Sequence, residues 1–511
     1  MAAQYVVGVD VGTQSLRAMV FDLAGRPLGA AVQAYPTYHD RVSWAEQEPD
    51  DWWRALCQCV RESVAQAGVA PAAVVGLALD STSCTVIPVR ADGEPLRRAL
   101  LWMDVRAVKQ AERITATGHP RLRFVSGVES PEWMLPKALW LKEEQPEIWA
   151  AADLVIECQD WLLHRLTGHW AAALCQATCK WNYAAPDGGW PSDLLEAVGL
   201  EDLESKWPAE VLPMGAPVGN LTADAAEALG LTQSTVVAQG GIDAYAGMLG
   251  LGVVEPGQMA LVMGTSTCHL ALAADGLFES HVWGPYPDAL LPGTWVMEGG
   301  QTTTGAIVTW FRDQFGAAAA ATAQERGVPI WEVLDEQAAA VPPGSEGLVL
   351  LDWFQGNRTP LRDPRARGGV VGLSLKHTAA HVFRAIYEGT AYGTRHILED
   401  LRAAGLESTG IWACGGGTRS ALWLQIHADV CGVPLHLTDV PDAACLGMAV
   451  AAAAGAGCYP DVVAASRAMV RETKTIEPNP EMAAVYEPYY QDYVALYPAL
   501  RETMHRLADR G

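Results

Sequence analysis

The sequence predicts an α/β protein of two similar halves with a ligand cleft between them. Three observations carry that prediction. The chain opens on YVVGVDVGTQSLRAMVFD, where two apolar, β-branched runs (Tyr5–Val9 and Leu16–Phe21) flank a turn of glycine and hydroxyl residues, the pattern of a β-hairpin. About half a chain later Met259 to Leu272 read MALVMGTSTCHLAL, again strand, Gly-Thr turn and strand, so that Gly264-Thr265-Ser266 repeats Gly12-Thr13-Gln14. A length of 511 residues exceeds one ordinary core, and the halves divide at 1–247 and 248–511.

Composition narrows the partners. Half of the residues are hydrophobic and 18% are charged, which suits a compact globular protein. A formal charge of −24 argues against nucleic acid and against an anionic membrane, since both would repel such a surface. A nucleotide ligand needs only local positive charge and a metal. The 11 cysteines contain no CxxC pair, and Cys57/Cys59 and Cys175/Cys179 are poorly spaced for zinc. His377 and His381 lack the Glu-x-x frame of a metal helix. Free thiols in a reducing cytosol follow. No basic region opens a signal peptide, no apolar run reaches the ~18 residues of a membrane span, and the Ala-rich Met448–Cys458 is too short for one. The expectation is a cytoplasmic protein with no membrane partner; its oligomeric state is open, a homodimer included.

In chain order, the first turn places Asp10 before Gly12, Thr13, Gln14 and Ser15, and Arg17 after them. A glycine turn lets backbone N–H groups approach an anion, and hydroxyls and an arginine add donors. A carboxylate beside a phosphate cradle makes sense if Asp10 holds a magnesium ion between protein and phosphate. The alternative is an ordinary hairpin. Glu48-Pro49-Asp50 starts a helix to about Ala67. Val74–Leu79 is a buried strand ending in Asp80-Ser81-Thr82-Ser83-Cys84, either a polar turn or the ligand contacts that α/β folds place past a strand. Trp102, ahead of Asp104 and Arg106, is either packing or a face for a sugar ring. Pro136–Glu144 and Gln159–Leu166 read as helices. Lys180 stands among aromatic and small residues and is either a solvated lysine or a ligand contact. A strand into Gly240-Gly241 then delivers Asp243 at a helix start, as an N-cap or as a carboxylate facing a cleft.

The second hairpin opens the second half. Glu298-Gly299-Gly300-Gln301 follows a strand and leads to a helix from about Thr303 to Phe315. Leu348–Leu351 is a buried strand and Ala379–Ala404 a long helix. Ile411–Cys414 runs into Gly415-Gly416-Gly417 and a helix from Ser420, a loop on which a ribose or flat ring can lie against bare backbone with phosphate at the helix N-terminus.

The paired hairpins look like the phosphate loops of the actin-like ATPase superfamily, and along nearly its whole length the chain resembles the FGGY carbohydrate kinases. The family's second signature stands from Gly368 to Glu388, with Gly372-Leu373, His381-Val382 and Ala385-Ile386-Tyr387-Glu388 in place; Lys137 and Trp140 match the first, where Met134 departs from the usual small residue. The resemblance implies two RNase H-like (actin-like ATPase) domains with the active site in the interdomain cleft. It implies ATP and Mg2+ as cofactors and a small-molecule sugar or polyol as substrate. Asp243 would be the catalytic base and, with Asp10, would bind the metal. ATP would lie on Gly12, Thr13, Gln14, Arg17, Gly264, Thr265, Gly305, Gly415, Gly416, Gly417 and Ser420. The sugar would meet Thr82, Ser83, Trp102, Lys180, Asp243 and Glu298.

Xylulose kinases of the family usually carry Gly-Gln-Met-His-Gly after the strand that here ends in Leu79. The Asp80–Thr85 segment is instead similar to that of ribulose and ribitol kinases, as are Lys180, Glu298 and Asn357-Arg358-Thr359-Pro360. The implied activity is phosphorylation of the terminal hydroxyl of a pentulose or pentitol, ribulose-type favoured, with D-xylulose the alternative. No G-x-x-x-x-G-K-[ST] and no HRD or DFG motif occurs, which excludes P-loop and protein kinases. The rival from another class is an actin- or chaperone-like ATPase without a sugar substrate.

Overall fold

Each hairpin starts a mixed sheet, seen in a computed structural model that describes residues 3–440 and 442–510. In the first, β1 (Tyr5–Val11), β2 (Ser15–Asp22) and β3 (Pro27–Ala34) form an antiparallel meander. On the other side of β1 lies β4 (Val74–Ser81), parallel to it. The edge strand β5 (Pro217–Asn220) pairs antiparallel with β6 (Val236–Ala238), which runs parallel to β4. Strands β1 and β4 are nearly continuous apolar runs because both of their faces are covered, whereas the edge strand β3 alternates exposed and buried residues.

The second sheet repeats this plan. β7 (Gln258–Met263) and β8 (Thr267–Ala273) form its hairpin, and β9 (Trp283–Pro287) is an added edge beside β10 (Trp295–Gln301), the antiparallel neighbour of β8. β11 (Gly410–Cys414) runs parallel to β7, β12 (Leu435–Thr438) parallel to β11, and β13 (Glu472–Ile476) closes the sheet antiparallel. The order β3-β2-β1-β4-β6-β5 thus recurs as β10-β8-β7-β11-β12-β13.

Helices cover the sheets. α1 (Pro49–Ala67) lies on β2 and β3 through Trp52, Leu56 and Val60 and ends at Gly68 in the left-handed region. α2 (Asp243–Leu251) follows β6; α3 (Gly305–Phe315), α4 (Ala379–Ala403) and α5 (Ala421–Cys431) belong to the second half. α6 (Ala443–Gly455) comes late in the chain yet packs on β1, β4 and α2 of the first half. Its alanines and Gly447 allow close approach: a Cβ on Gly447 would overlap the Ala246 carbonyl, and one on Gly8 the Cys445 carbonyl. The Ala-rich stretch is therefore a buried helix of the core. Among the described residues no helix is long and apolar enough to cross a membrane.

Several boundaries differ from the sequence expectation, and the reasons are physical. β4 continues to Ser81 because Asp80 and Ser81 keep their register with Asp10 and Val11. Glu298 to Gln301 lie inside β10, where pairing with β8 carries the glycines. β6 ends at Ala238, and Gly240 just beyond it lies so close to the Leu79 carbonyl that a Cβ would collide there. Lys180 ends a short helix, Leu174–Lys180, whose buried face holds Cys175, Gln176, Thr178 and Cys179.

Candidate active site

β1, β4 and β6 are parallel neighbours, so their C-terminal ends open on one side of the first sheet, where α/β folds place ligands. A carboxyl group stands at each end. Asp10 is the register partner of Asp80. Asp243 opens α2 beyond β6, whose exit is tied to β4 by the Ser81 N–H donating to the Gly241 carbonyl at 3.1 Å. Burial, reinforced by the Asp243 charge, pushes Asp10 up to about 6. Burial also lifts Asp243 to about 6, with the Glu298 charge adding to it, although the Ala244 N–H donates to its Oδ1 at 2.6 Å. Asp80 is fully buried, neither of its oxygens has a hydrogen-bond partner, and burial and the two neighbouring carboxylates raise it well above the ordinary range.

A set of hard oxygen donors with one orphaned carboxylate suits Mg2+, which takes one or two carboxylates, keeps several waters and shares phosphate oxygens. Among the described residues no three His, Cys, Asp or Glu side chains enclose a metal by themselves, and an ion shared with phosphate needs no such cage.

The first turn has its carbonyls held from behind. Gly12 O accepts from the Tyr35 hydroxyl, Thr13 O from Gln47 Nε2 at 2.7 Å, and Gln14 O from the Tyr35 N–H at 3.2 Å. The amide and hydroxyl donors of Thr13 and Gln14 are left for a ligand. Arg17 is less free than its sequence position suggests, because its guanidinium pairs with Asp442, the N-cap of α6. In the second turn Gly264, Thr265 and Ser266 are exposed, and Thr265 O accepts from the N–H groups of Thr304 (3.2 Å) and Ala306 (3.0 Å). The turn thereby rests on the N-terminus of α3, where Gly305 is required because a Cβ would overlap the Gly264 carbonyl.

Lys180 and Glu298, one from each half, meet at 3.4 Å. Burial disfavours the ammonium, but Glu298 and Tyr286 more than offset this and hold its pKa well above the ordinary lysine value. Its Nζ lies 5.1 Å from the Trp133 ring centre and 5.2 Å from that of Tyr286. Thr82 and Ser83 are half-buried; Thr82 Oγ1 bonds Thr85 Oγ1 at 3.2 Å. Trp102 donates from Nε1 to Thr13 Oγ1 at 2.9 Å, which joins it to the turn of the first hairpin. Asp104 and Arg106 are taken up in a buried ion pair with Glu46, stacked on Trp44. Thr359 brackets Gly300 of β10, accepting from its N–H at 2.8 Å and donating to its carbonyl at 3.1 Å.

Beyond the second turn a cavity of about 1220 Å³ opens in the second half. Its walls include Gly264, Thr265, Gly305, Gly416, Gly417 and Ser420. Gly415 supports the wall from behind, with φ +95° and a Cβ position blocked by the Met263 carbonyl. Ser420 accepts from the Trp423 N–H at 3.1 Å and caps α5.

Sequence profiles of the FGGY family of carbohydrate kinases match this chain twice, the N-terminal domain over residues 5–250 and the C-terminal domain over 259–456. The chain belongs to the FGGY family of carbohydrate kinases. It is therefore a phosphotransferase with a carbohydrate alcohol as acceptor. It is similar to the ribulokinase of Anoxybacillus flavithermus, with 34% identity covering 97% of this chain and 94% of that one. A second relative is the FGGY carbohydrate kinase domain-containing protein of Homo sapiens, 35% identical over 99% of this chain and 98% of that one. Among solved structures the xylulose kinase of Rhodospirillum rubrum superposes with a TM-score of 0.85 at 28% identity, covering 98% of this chain and all (100%) of that one.

In this FGGY kinase the second signature is largely a structural clamp. Glu388 on α4 accepts from the Gly344 N–H (2.9 Å), Ser345 Oγ (2.7 Å) and Arg384 Nε (2.7 Å), fixing the loop before the next strand. His381 serves as a cap, its ring bonding the Thr378 hydroxyl at 2.9 Å and Glu346 at 3.2 Å, while His377 accepts from the Ser374 N–H at 2.9 Å in the turn before the helix. Trp133, Tyr286, and the cavity residues Trp310 and Trp331 escaped the sequence reading, because an aromatic residue in a chain with 19 tryptophans gives no cue to which face it lines; Tyr387, legible in the sequence only as part of the signature, also lines the cavity.

Proposed function

We propose that this kinase phosphorylates the terminal hydroxyl of a pentulose or pentitol with ATP and Mg2+, ribulose-type sugars being favoured, in a reducing cytoplasm where its 11 free cysteines stay reduced. The observation that carries the reading is the Lys180–Glu298 pair beside Asp243, a cation and an anion facing one another from the two halves. A carbonyl or hydroxyl of a short sugar can accept from Lys180 while Glu298 accepts from two hydroxyls. The ribulokinase relatives favour the same class.

Asp243 is the group that takes the proton of the attacking hydroxyl. Its carboxyl, raised to about 6, is ionised at neutral pH yet more basic than an ordinary aspartate, the compromise a general base needs. Thr13, Gln14 and Thr265 hold phosphate oxygens; Gly416, Gly417 and Ser420 carry the nucleoside. Asp10 and Asp243 would hold Mg2+, which neutralises charge on the transferred phosphoryl group. Closure of the cleft keeps water from competing with the sugar hydroxyl.

The second reading, a D-xylulose kinase, is favoured by the structural likeness to proteins of that name. The two part at Asp80–Thr85, which lacks the Gly-Gln-Met-His-Gly of xylulose kinases. The test is kcat/KM for D-ribulose, L-ribulose, ribitol and D-xylulose measured side by side. A ribulose or ribitol is expected to lead, and Lys180→Met to raise its KM sharply while leaving that of ATP nearly unchanged. A clear lead for D-xylulose would overturn the ribulose assignment.

A further inference from the structure

Lys137 lies on the helix Met134–Glu144 and is completely buried. Burying an ammonium is costly unless it is paired, yet among the described residues no carboxylate stands within ion-pairing distance of it. Its Nζ instead donates to two backbone carbonyls, Cys84 O at 2.7 Å and Leu101 O at 2.6 Å. Those carbonyls belong to separate loops. Cys84 ends the Asp80–Cys84 segment that leaves β4 and carries Thr82 and Ser83. Leu101 precedes Trp102, whose indole N–H holds Thr13 of the first phosphate turn. The lysine thus joins the segment next to the proposed sugar contacts to the segment that touches the phosphate turn.

We infer that Lys137 is a positioning residue that fixes the sugar-side loop and the Trp102–Thr13 contact relative to one another and so couples sugar binding to nucleotide binding. The inference rests on the assignment of these loops to sugar and phosphate given above. A buried charge is suited to the task because its alternatives are worse: if either loop shifted, the ammonium would lose a strong charge-assisted bond with no water to replace it. Burial pushes its pKa down to about 8, although the more distant charges of Asp104, Glu157 and Glu132 work against the shift.

The experiment uses the full chain with Lys137→Met, which keeps the length of the side chain and removes its donors. Amide exchange of the free protein comes first, because it needs no sugar and so stands apart from the substrate assignment. Exchange at Thr82–Thr85 and Leu101–Val105 is expected to accelerate by about tenfold or more while α4 is unchanged, as local opening free energies vary segment by segment. With whichever sugar the parent enzyme phosphorylates, KM for the sugar is expected to rise by about tenfold or more, with KM for ATP within about threefold, since small misplacements near the reacting groups are amplified. The ratio of sugar affinities with and without a non-hydrolysable ATP analogue is expected to fall towards one. A folded variant with parental exchange at both loops and an unchanged affinity ratio overturns the inference. Should Lys137→Met not fold, Trp102→Phe removes the indole donor to Thr13 and keeps an aromatic ring; an affinity ratio equal to that of the parent then overturns it. Altered exchange in an enzyme that turns over no pentulose would leave the positioning role standing and sink the substrate assignment instead.

Discussion

In its proposed role as base, Asp243 would serve function at the expense of stability. Its carboxyl is held near 6 in the native state, chiefly by burial, against the ordinary value near ~4 in an unfolded chain. Between those two values the native state binds the proton more tightly, so the ionised carboxylate costs stability above pH about 6, and the cost disappears below pH ~4 where both states are protonated. Asp243→Asn removes both the cost and the base. The expected outcome is a loss of phosphorylation by ~10²–10⁴-fold or more, ATP binding retained, and a melting temperature at pH 7 to 8 that is higher than the parent's, the gain vanishing in acid. The parental kcat/KM should fall along an acid limb near pH 6, because protonation removes the base. Steady-state kinetics and thermal melts across pH check both. Retention of more than about a tenth of the parental rate would remove Asp243 from the role of base. Asp10, raised to about 6 beside it, should behave differently: Asp10→Ala weakens metal binding, so part of the lost activity should return at high magnesium, read from activity against Mg2+ concentration.

Legibility in the sequence follows the length and regularity of each element. The two hairpins, α4 and the glycine loop after β11 were readable because period, turn chemistry and punctuation agree over many residues. The carboxyl cluster was readable only in part: Asp80 looked like a loop residue, since nothing local reveals that its strand continues two residues further in register with Asp10 and Val11. Arg17 looked free for phosphate because its partner, Asp442, lies at the far end of the chain. The largest omission was α6. Its alanine run has no amphipathic period, and small residues become meaningful only once the neighbours that crowd them are known. The crossing of α2 and α6 at Gly447 makes that crowding testable. Gly447→Ala places a methyl group on the Ala246 carbonyl, and backbone cannot swing aside as a side chain can. A loss of roughly 1–3 kcal/mol in denaturant unfolding is expected. Activity should fall by more than the folded fraction does, because α2 carries Asp243 at its start. A variant with parental stability would mean that the two helices separate freely.

At the scale of the molecule, the two halves already touch around the proposed sugar contacts. Ser126 Oγ reaches the Val282 and Gly284 carbonyls at 3.0 Å each, Arg362 donates to Ser126 O at 3.4 Å, and Lys180 meets Glu298 at 3.4 Å. The cavity proposed for the nucleotide, by contrast, is built from the second half alone. On the assignment proposed above, its phosphate end would meet Asp10 and Asp243 of the first half, and the sugar, with its hydroxyls on Lys180 and Glu298, would bridge the halves at that point. That arrangement would separate a sugar kinase mechanism from an actin-like ATPase cycle, in which nucleotide alone would complete the site. ATP hydrolysis without sugar is expected to be slow, and ADP release should rise by about 10²-fold or more when the preferred pentulose or pentitol is added, since positioning the acceptor hydroxyl supplies much of the barrier reduction. A coupled ADP assay over pentuloses, hexuloses, pentitols and glycerol measures it. Small-angle scattering should show the radius of gyration falling only when sugar and a non-hydrolysable ATP analogue are present together. Rapid hydrolysis indifferent to every polyol and ketose, with full contraction on nucleotide alone, would instead assign the cleft to motion.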